Sequence, residues 1–191
     1  AWWIAMGISA VVPVEIHWLM TSAWTFPENQ YLQTLTPLTR WFFSRIARVY
    51  GFTTTPPMPP NPDHLEERAR SVRRALKFAR EADQPVIGIA PEGSDQPGGI
   101  LGNSPPGVGR FIKQLEKHCK RIIPIGVYED DIKLCIRFGE PFELKIPANR
   151  SADQIDREIS RQVMSAIAQQ LPIPLRGGYD QAALVEPPGK Q

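Results

Sequence analysis

Hydrophobic and polar positions along the chain switch repeatedly between a helical and a strand-like rhythm. Ala1–Val12 (AWWIAMGISAVV) carries no charge and predicts a buried or interfacial helix, ended by Pro13. Val14–Ala23 alternates well enough for a strand. Leu35–Tyr50 predicts an amphipathic helix with Gly51 just past its end, and Phe52–Thr55 a short strand running into prolines. Asp63–Ala82 has acidic residues early and basic residues late, the order a helix dipole favours. Pro85–Ala90 (PVIGIA) is a continuous apolar run, expected of a strand covered on both faces.

A glycine- and proline-rich loop, Pro91–Pro105, separates that run from a predicted helix at Gly107–Lys120. Arg121–Val127 (RIIPIGV) predicts a further buried strand, Tyr128–Asp131 a turn, and Ile132–Phe138 an alternating strand paired locally and antiparallel. Ser151–Gln170 predicts a helix with Ser151 as its N-cap and Ile155, Ile159, Val163 and Ile167 on one stripe. From Pro172 onward the chain reads as a docked or loose tail. Repeated helix–strand units of this length imply an α/β domain over residues 1–171, with a mostly parallel central sheet and helices on both faces.

Composition narrows the classes. With 191 residues, 42% hydrophobic and 22% charged, the chain has an ordinary globular make-up. Its 22 Lys and Arg against 20 Asp and Glu leave a net charge of +2, too balanced for a nucleic-acid domain. Two cysteines, Cys119 and Cys135, make neither a disulfide framework nor a CxxC metal pair, and suit a reducing compartment. The 20 prolines cluster as rigid connections. Ala1–Val14 is too short to span a bilayer and has no basic leader, so neither a membrane span nor a signal peptide is expected. A chain that opens on AWWIAMGISAVV is expected to be a piece of a longer protein.

Candidate chemistry concentrates in Val86–Gly93 (VIGIAPEG). An apolar strand runs out at Pro91 and presents Glu92, Gly93 and Ser94 at its carboxyl end, where open α/β sheets bind ligands. A carboxylate there can accept hydrogen bonds from a hydroxylated ligand, and the glycine lets backbone N–H groups approach an anion. Alone, the tripeptide reads equally well as an ordinary strand-ending turn.

Its surroundings add to it. IAPEGS (Ile89–Ser94), the helix in PPGVGRFIKQLEKH, RIIPIGV (Arg121–Val127) and RFGEPFEL (Arg137–Leu144) follow one another in an order and spacing that resembles the glycerophospholipid (lysophospholipid) acyltransferase family. The upstream half is similar only in layout. The resemblance implies a transfer of a fatty acyl group from acyl-CoA or acyl-carrier protein to a hydroxyl of a lysophospholipid or glycerol-phosphate-type acceptor. It implies no cofactor, no metal and no covalent enzyme intermediate. Pro91, Glu92, Gly93 and Ser94 would position the acceptor, with Pro124 and Gly126 as a pocket wall.

The chain departs from the family pattern twice. The family's base lies in a His-x4-Asp block, but the residues five beyond His17, His64 and His118 are Ser22, Ala69 and Ile123. No catalytic residue is therefore assigned within the chain, and the pair is expected upstream of Ala1. The family's second block ends in an arginine that grips the acceptor phosphate, whereas Gly51–Pro60 has none. Arg68, Arg70 and Arg110 are the candidate replacements, and as residues they read first as solvated surface charges. Arg110 opens a helix, whose N-terminus favours anions.

Other patterns carry less. Ser104–Phe111 lacks the Lys and Ser/Thr of a phosphate-binding P-loop. Glu129, Asp130 and Asp131 read as a solvated turn, and His17 as a packing histidine. Trp2, Trp3, Trp18 and Trp24, with Phe42 and Phe43, suit either core packing or a membrane interface. The resemblance implies a membrane's cytoplasmic surface as partner, met peripherally, and the charge balance implies no nucleic acid. The alternative function is a non-catalytic lipid-binding or membrane-interaction module on the same fold.

Overall fold

In a computed structural model of the chain, residues 2–22, 34–56, 62–94, 97–146 and 149–179 are described. They fall into two compact units, Ala1–Ser94 and Asp95–Gln191. Trp24, most of the first proline cluster and residues 180–191 lie outside the described residues.

The first unit is built on strand β1 (His17–Thr21), which lies between β2 (Thr53–Thr55) and β3 (Ile87–Gly88) in an all-parallel sheet. Leu19 pairs with Thr53 on one side and His17 with Ile87 on the other. Helix α1 (Trp2–Val11) leads in, burying Ala5 and Ile8. Ser9 on its outer side accepts a 2.9 Å hydrogen bond from the Trp18 indole. Opposite Trp18 stands Gly88, where a Cβ would meet the indole ring within 2.3 Å. A side chain at that position and a tryptophan at its partner are mutually exclusive.

Helix α2 (Thr36–Tyr50) joins β1 to β2 and stops at Gly51, which takes the left-handed conformation at φ 70°. Glycine adopts it without a Cβ clash, which ends the helix where the sequence predicts. Helix α3 (Leu65–Glu81) follows the short 3-10 turn Pro62–His64 and buries a row of small residues, Ser71, Ala75 and Ala79. Small side chains let the helix axis come close, and Ser71 donates a 2.6 Å hydrogen bond to the Thr54 carbonyl on β2.

The second unit holds helices α4 (Val108–Glu116) and α5 (Ala152–Ala168) and the antiparallel hairpin of β4 (Ile125–Asp130) and β5 (Lys133–Phe138). Ser151 caps α5 as predicted: its hydroxyl accepts from the Gln154 N–H, and Gln154 Oε1 accepts from the Ser151 N–H. This reciprocal pair satisfies two groups that a helix start leaves open. Ile159 and Val163 of the predicted stripe are buried, with Ile155 and Ile167 partly so. Leu101, Met164, Ala168 and Leu171 form a core cluster against which Tyr128, Leu175 and Tyr179 pack. The segment after Pro172 is docked as far as Tyr179, through the Leu101 N–H on the Leu175 carbonyl and the Tyr179 hydroxyl on Asn103.

The α/β class therefore stands, with a small parallel sheet, and the described strands divide between two sheets. Three strands are parallel in one unit, and β4 and β5 form a separate antiparallel ladder in the other. The run Arg121–Val127 is only half strand. Pro124 has no N–H to give a ladder, so Ile122 makes a lone bridge to Phe142 and regular pairing starts at Ile125. The predicted turn at Tyr128–Asp131 moves as well. Pairing continues to Asp130 opposite Lys133, and Asp131 takes a positive φ of 54°, tolerated by a short polar side chain. In the first unit, Pro85–Ala90 yields a two-residue strand with Val86 38% exposed, not a run covered on both faces.

Candidate functional site

The carboxyl ends of the three parallel strands gather Thr21 and Ser22, Thr55, and the turn leaving β3. The chain leaves β1 towards β2, while β3 lies on the opposite flank of β1. In open α/β sheets the usual ligand position lies outside the carboxyl ends of the strands at such a division. Into this edge the sequence delivers Pro91, Glu92, Gly93 and Ser94 as one tight turn. The Gly93 N–H donates to the Ala90 carbonyl at 3.1 Å, with Pro91 second and Gly93 fourth at φ 76°. Proline and glycine at those places favour a type I turn. Pro91 and Glu92 are partly buried, and Gly93 and Ser94 exposed.

Ser22 is the residue that sequence reasoning missed. Its backbone N–H donates to the Thr55 carbonyl at 2.7 Å, which fixes it at the end of β1. Its side chain is buried, with the residue 4% exposed, and its hydroxyl has no hydrogen-bond partner among the described residues. Buried hydroxyls are almost always satisfied by protein, water or ligand. The legible signal was a serine directly after an apolar strand.

Of the remaining candidates, Arg68 and Arg70 belong to the first unit and Arg110, Pro124 and Gly126 to the second. Arg110 sits in the first turn of α4 in the second unit, and the anion at that helix start is already present within the fold. Asp156 of α5, 7% exposed, accepts the Gly107 N–H on Oδ2 and the Arg110 N–H on Oδ1, both at 2.8 Å. The Arg110 Nε stands 4.0 Å from the same carboxylate. A free arginine over an open helix terminus is thus not what the fold provides. Pro124 and Gly126 are buried at the base of the hairpin. A Cβ on Gly126 would come within 2.7 Å of the Gln170 carbonyl, so in this unit they shape a seat for the end of α5. Arg68 is partly buried on α3 and Arg70 exposed.

The histidines are also accounted for. His17 stacks on Phe78 with ring centroids 4.0 Å apart, and its Nε2 is 2.9 Å from the Thr53 hydroxyl. Burial pushes its pKa down, with the Glu15 carboxylate opposing. It is a packing histidine, as predicted. His64 pairs with Glu67 one turn on, at 3.5 Å, and His118 is exposed past the end of α4. Glu129, Asp130 and Asp131 are exposed at the hairpin tip. Among the described residues no three metal-ligating side chains cluster, and no helix is long and apolar enough to cross a membrane.

Of the aromatic residues expected at an interface, Trp18 is buried against α1, and Phe43 is buried while Phe42 is half exposed. The Trp2 and Trp3 side chains lie outside the described residues. No family model matches the chain, and no curated protein or solved structure matches it.

Proposed function

We propose that the chain is the α/β domain of a glycerolipid acyltransferase-like enzyme. It acts peripherally at the cytoplasmic side of a membrane, in phospholipid biosynthesis. The reading rests on the turn Pro91–Ser94, which follows β3 at the carboxyl end of the parallel sheet. In this reading Glu92 accepts a hydrogen bond from an acceptor hydroxyl, and Gly93 and Ser94 line the approach.

The acceptor oxygen attacks the carbonyl of an acyl thioester, on CoA or acyl-carrier protein. A C–O bond forms, the C–S bond breaks, and the thiolate leaves to take up the proton that the base removed. The reading assigns that base to none of His17, His64 and His118, because none has an aspartate five residues on. The reading therefore requires a His-x4-Asp pair from outside these 191 residues. No metal or cofactor is invoked.

The test is donor-dependent thiol release with acyl-CoA and a lysophospholipid, using the natural protein that contains this chain. Glu92→Ala is expected to lower it by about a hundredfold, the scale of a lost positioning contact. Release unchanged by Glu92→Ala sinks the assignment. A second reading, a non-catalytic lipid-binding module, is favoured by one observation. His17, the first residue of β1, is held by an aromatic ring and a hydroxyl in place of a carboxylate. It predicts lipid binding with no thiol release.

A further inference from the structure

Helix α2 leaves an apolar face uncovered. Leu38, Trp41, Phe42 and Val49 recur at i, i+3, i+4 and i+11, which places them on one side of the helix. Their exposures are 59%, 58%, 50% and 75%, while Phe43, pointing the other way, is 6% exposed and anchors the helix. Scattered exposed apolar residues need no explanation, but a contiguous patch with two large aromatics does.

Charge indicates what covers it. The helix sequence TPLTRWFFSRIARVY contains Arg40, Arg45 and Arg48 and no acidic residue. Arg45, one turn from both Trp41 and Val49, stands on this same side of the helix, its guanidinium over the Trp41 ring at 5.6 Å. Arg40 lines an open groove of about 720 Å³ beside that face, with Thr36, Pro37, Trp41 and Ser44. An apolar stripe that carries one arginine and has another beside it, with hydroxyls alongside, matches the boundary between acyl chains and anionic headgroups. A second copy of the same face matches it poorly, because arginine would meet arginine with no carboxylate between them.

We propose that α2 is the element by which this protein docks on an anionic lipid bilayer. Leu38, Trp41, Phe42 and Val49 enter the interface, and Arg40 and Arg45 meet the phosphates. This deepens the membrane part of the reading above and stands apart from its chemistry. The assay below contains no acyl donor, so failure to bind and failure to transfer are read separately.

The experiment is co-sedimentation of the 191-residue chain with vesicles of phosphatidylcholine alone, and of three parts phosphatidylcholine to one part phosphatidylglycerol. Binding is expected to favour the anionic vesicles by about tenfold or more and to weaken with added salt. The double variant Trp41→Ser/Phe42→Ser is expected to lose about tenfold or more in partitioning. Arg40→Gln/Arg45→Gln should lose about fivefold per arginine. Ile132→Ser, on the fully exposed hairpin tip, serves as the control and should bind as wild type. If the apolar variant loses its fold by circular dichroism, the arginine variant and the neutral vesicles decide alone. Anionic vesicles bound no better than neutral ones overturn the proposal. So do variants that bind like wild type, or a dimer in sedimentation velocity that Trp41→Ser/Phe42→Ser breaks.

Discussion

Asp156 holds Arg110 twice, accepting its backbone N–H at 2.8 Å and standing 4.0 Å from its guanidinium. The first contact matters more, because the arginine side chain is half exposed and its ion pair is screened. Asp156→Ala leaves the N–H groups of Gly107 and Arg110 without their acceptor at the start of α4. It should cost about 2 kcal/mol in urea denaturation. Arg110→Gln should cost less than about 0.5 kcal/mol. Equal losses would show that the guanidinium, not the helix cap, dominates.

Gly109 marks the closest approach of α4 to α5. A Cβ there would fall 2.1 Å from the Asp156 backbone oxygen, and backbone cannot rotate aside as a side chain can. Gly109→Ala should therefore destabilise by about 3 kcal/mol or more, by forcing the helices apart. Gly178→Ala, with nothing within 4 Å, should stay within about 0.5 kcal/mol of wild type in the same measurement.

His17 gives the first unit a pH dependence of defined sign. Its folded pKa lies below the ordinary 6.5, so in the interval between them the unfolded chain binds more protons. Stability then rises with pH through that interval, and is lost as pH falls from about 6.5. Glu158, held below its usual 4.5 by Arg161 and Gln162, acts only at more acid pH, where its protonation removes stability. Denaturation at about pH 7.5 and about pH 5.5 should show the loss in wild type, and His17→Gln should reduce it. An unchanged slope in the variant would move the effect to another group.

Ser22→Ala should behave unlike most polar truncations. A buried hydroxyl without a partner is a desolvation cost, so removing it should stabilise the fold by about 1 kcal/mol. A loss of that size by thermal denaturation would show that the hydroxyl is satisfied in solution.

Local signals were legible where a single residue decides a boundary. Ser151 with Gln154 wrote the start of α5, and Gly51 the end of α2. The partition of strands was not legible, because RIIPIGV looks the same in a parallel sheet as in a hairpin. Only the register of Ile125 opposite Phe138 distinguishes them. The cap on α4 was hidden for a different reason, since its acceptor lies on another helix, remote in sequence. A hint was present: Asp156 falls on the same stripe as Ile159 and Val163, where a carboxylate needs a partner. At the candidate site, the turn around Gly93 could be read from Pro91 and Gly93. The burial of Ser22 depends on β2 and could not.

The sheet order β2-β1-β3 has a further consequence for how the protein is made. His17 cannot meet Ile87 until the whole of α2, β2 and α3 has been synthesised. At ribosomal speeds β1 waits on the order of several seconds for that neighbour. The hairpin of β4 and β5, by contrast, can close as soon as Phe138 emerges. Leu101 in the second unit waits just as long for Leu175, and a nascent chain stalled before Ile87 leaves β1 without its β3 neighbour and should be a form that chaperones hold.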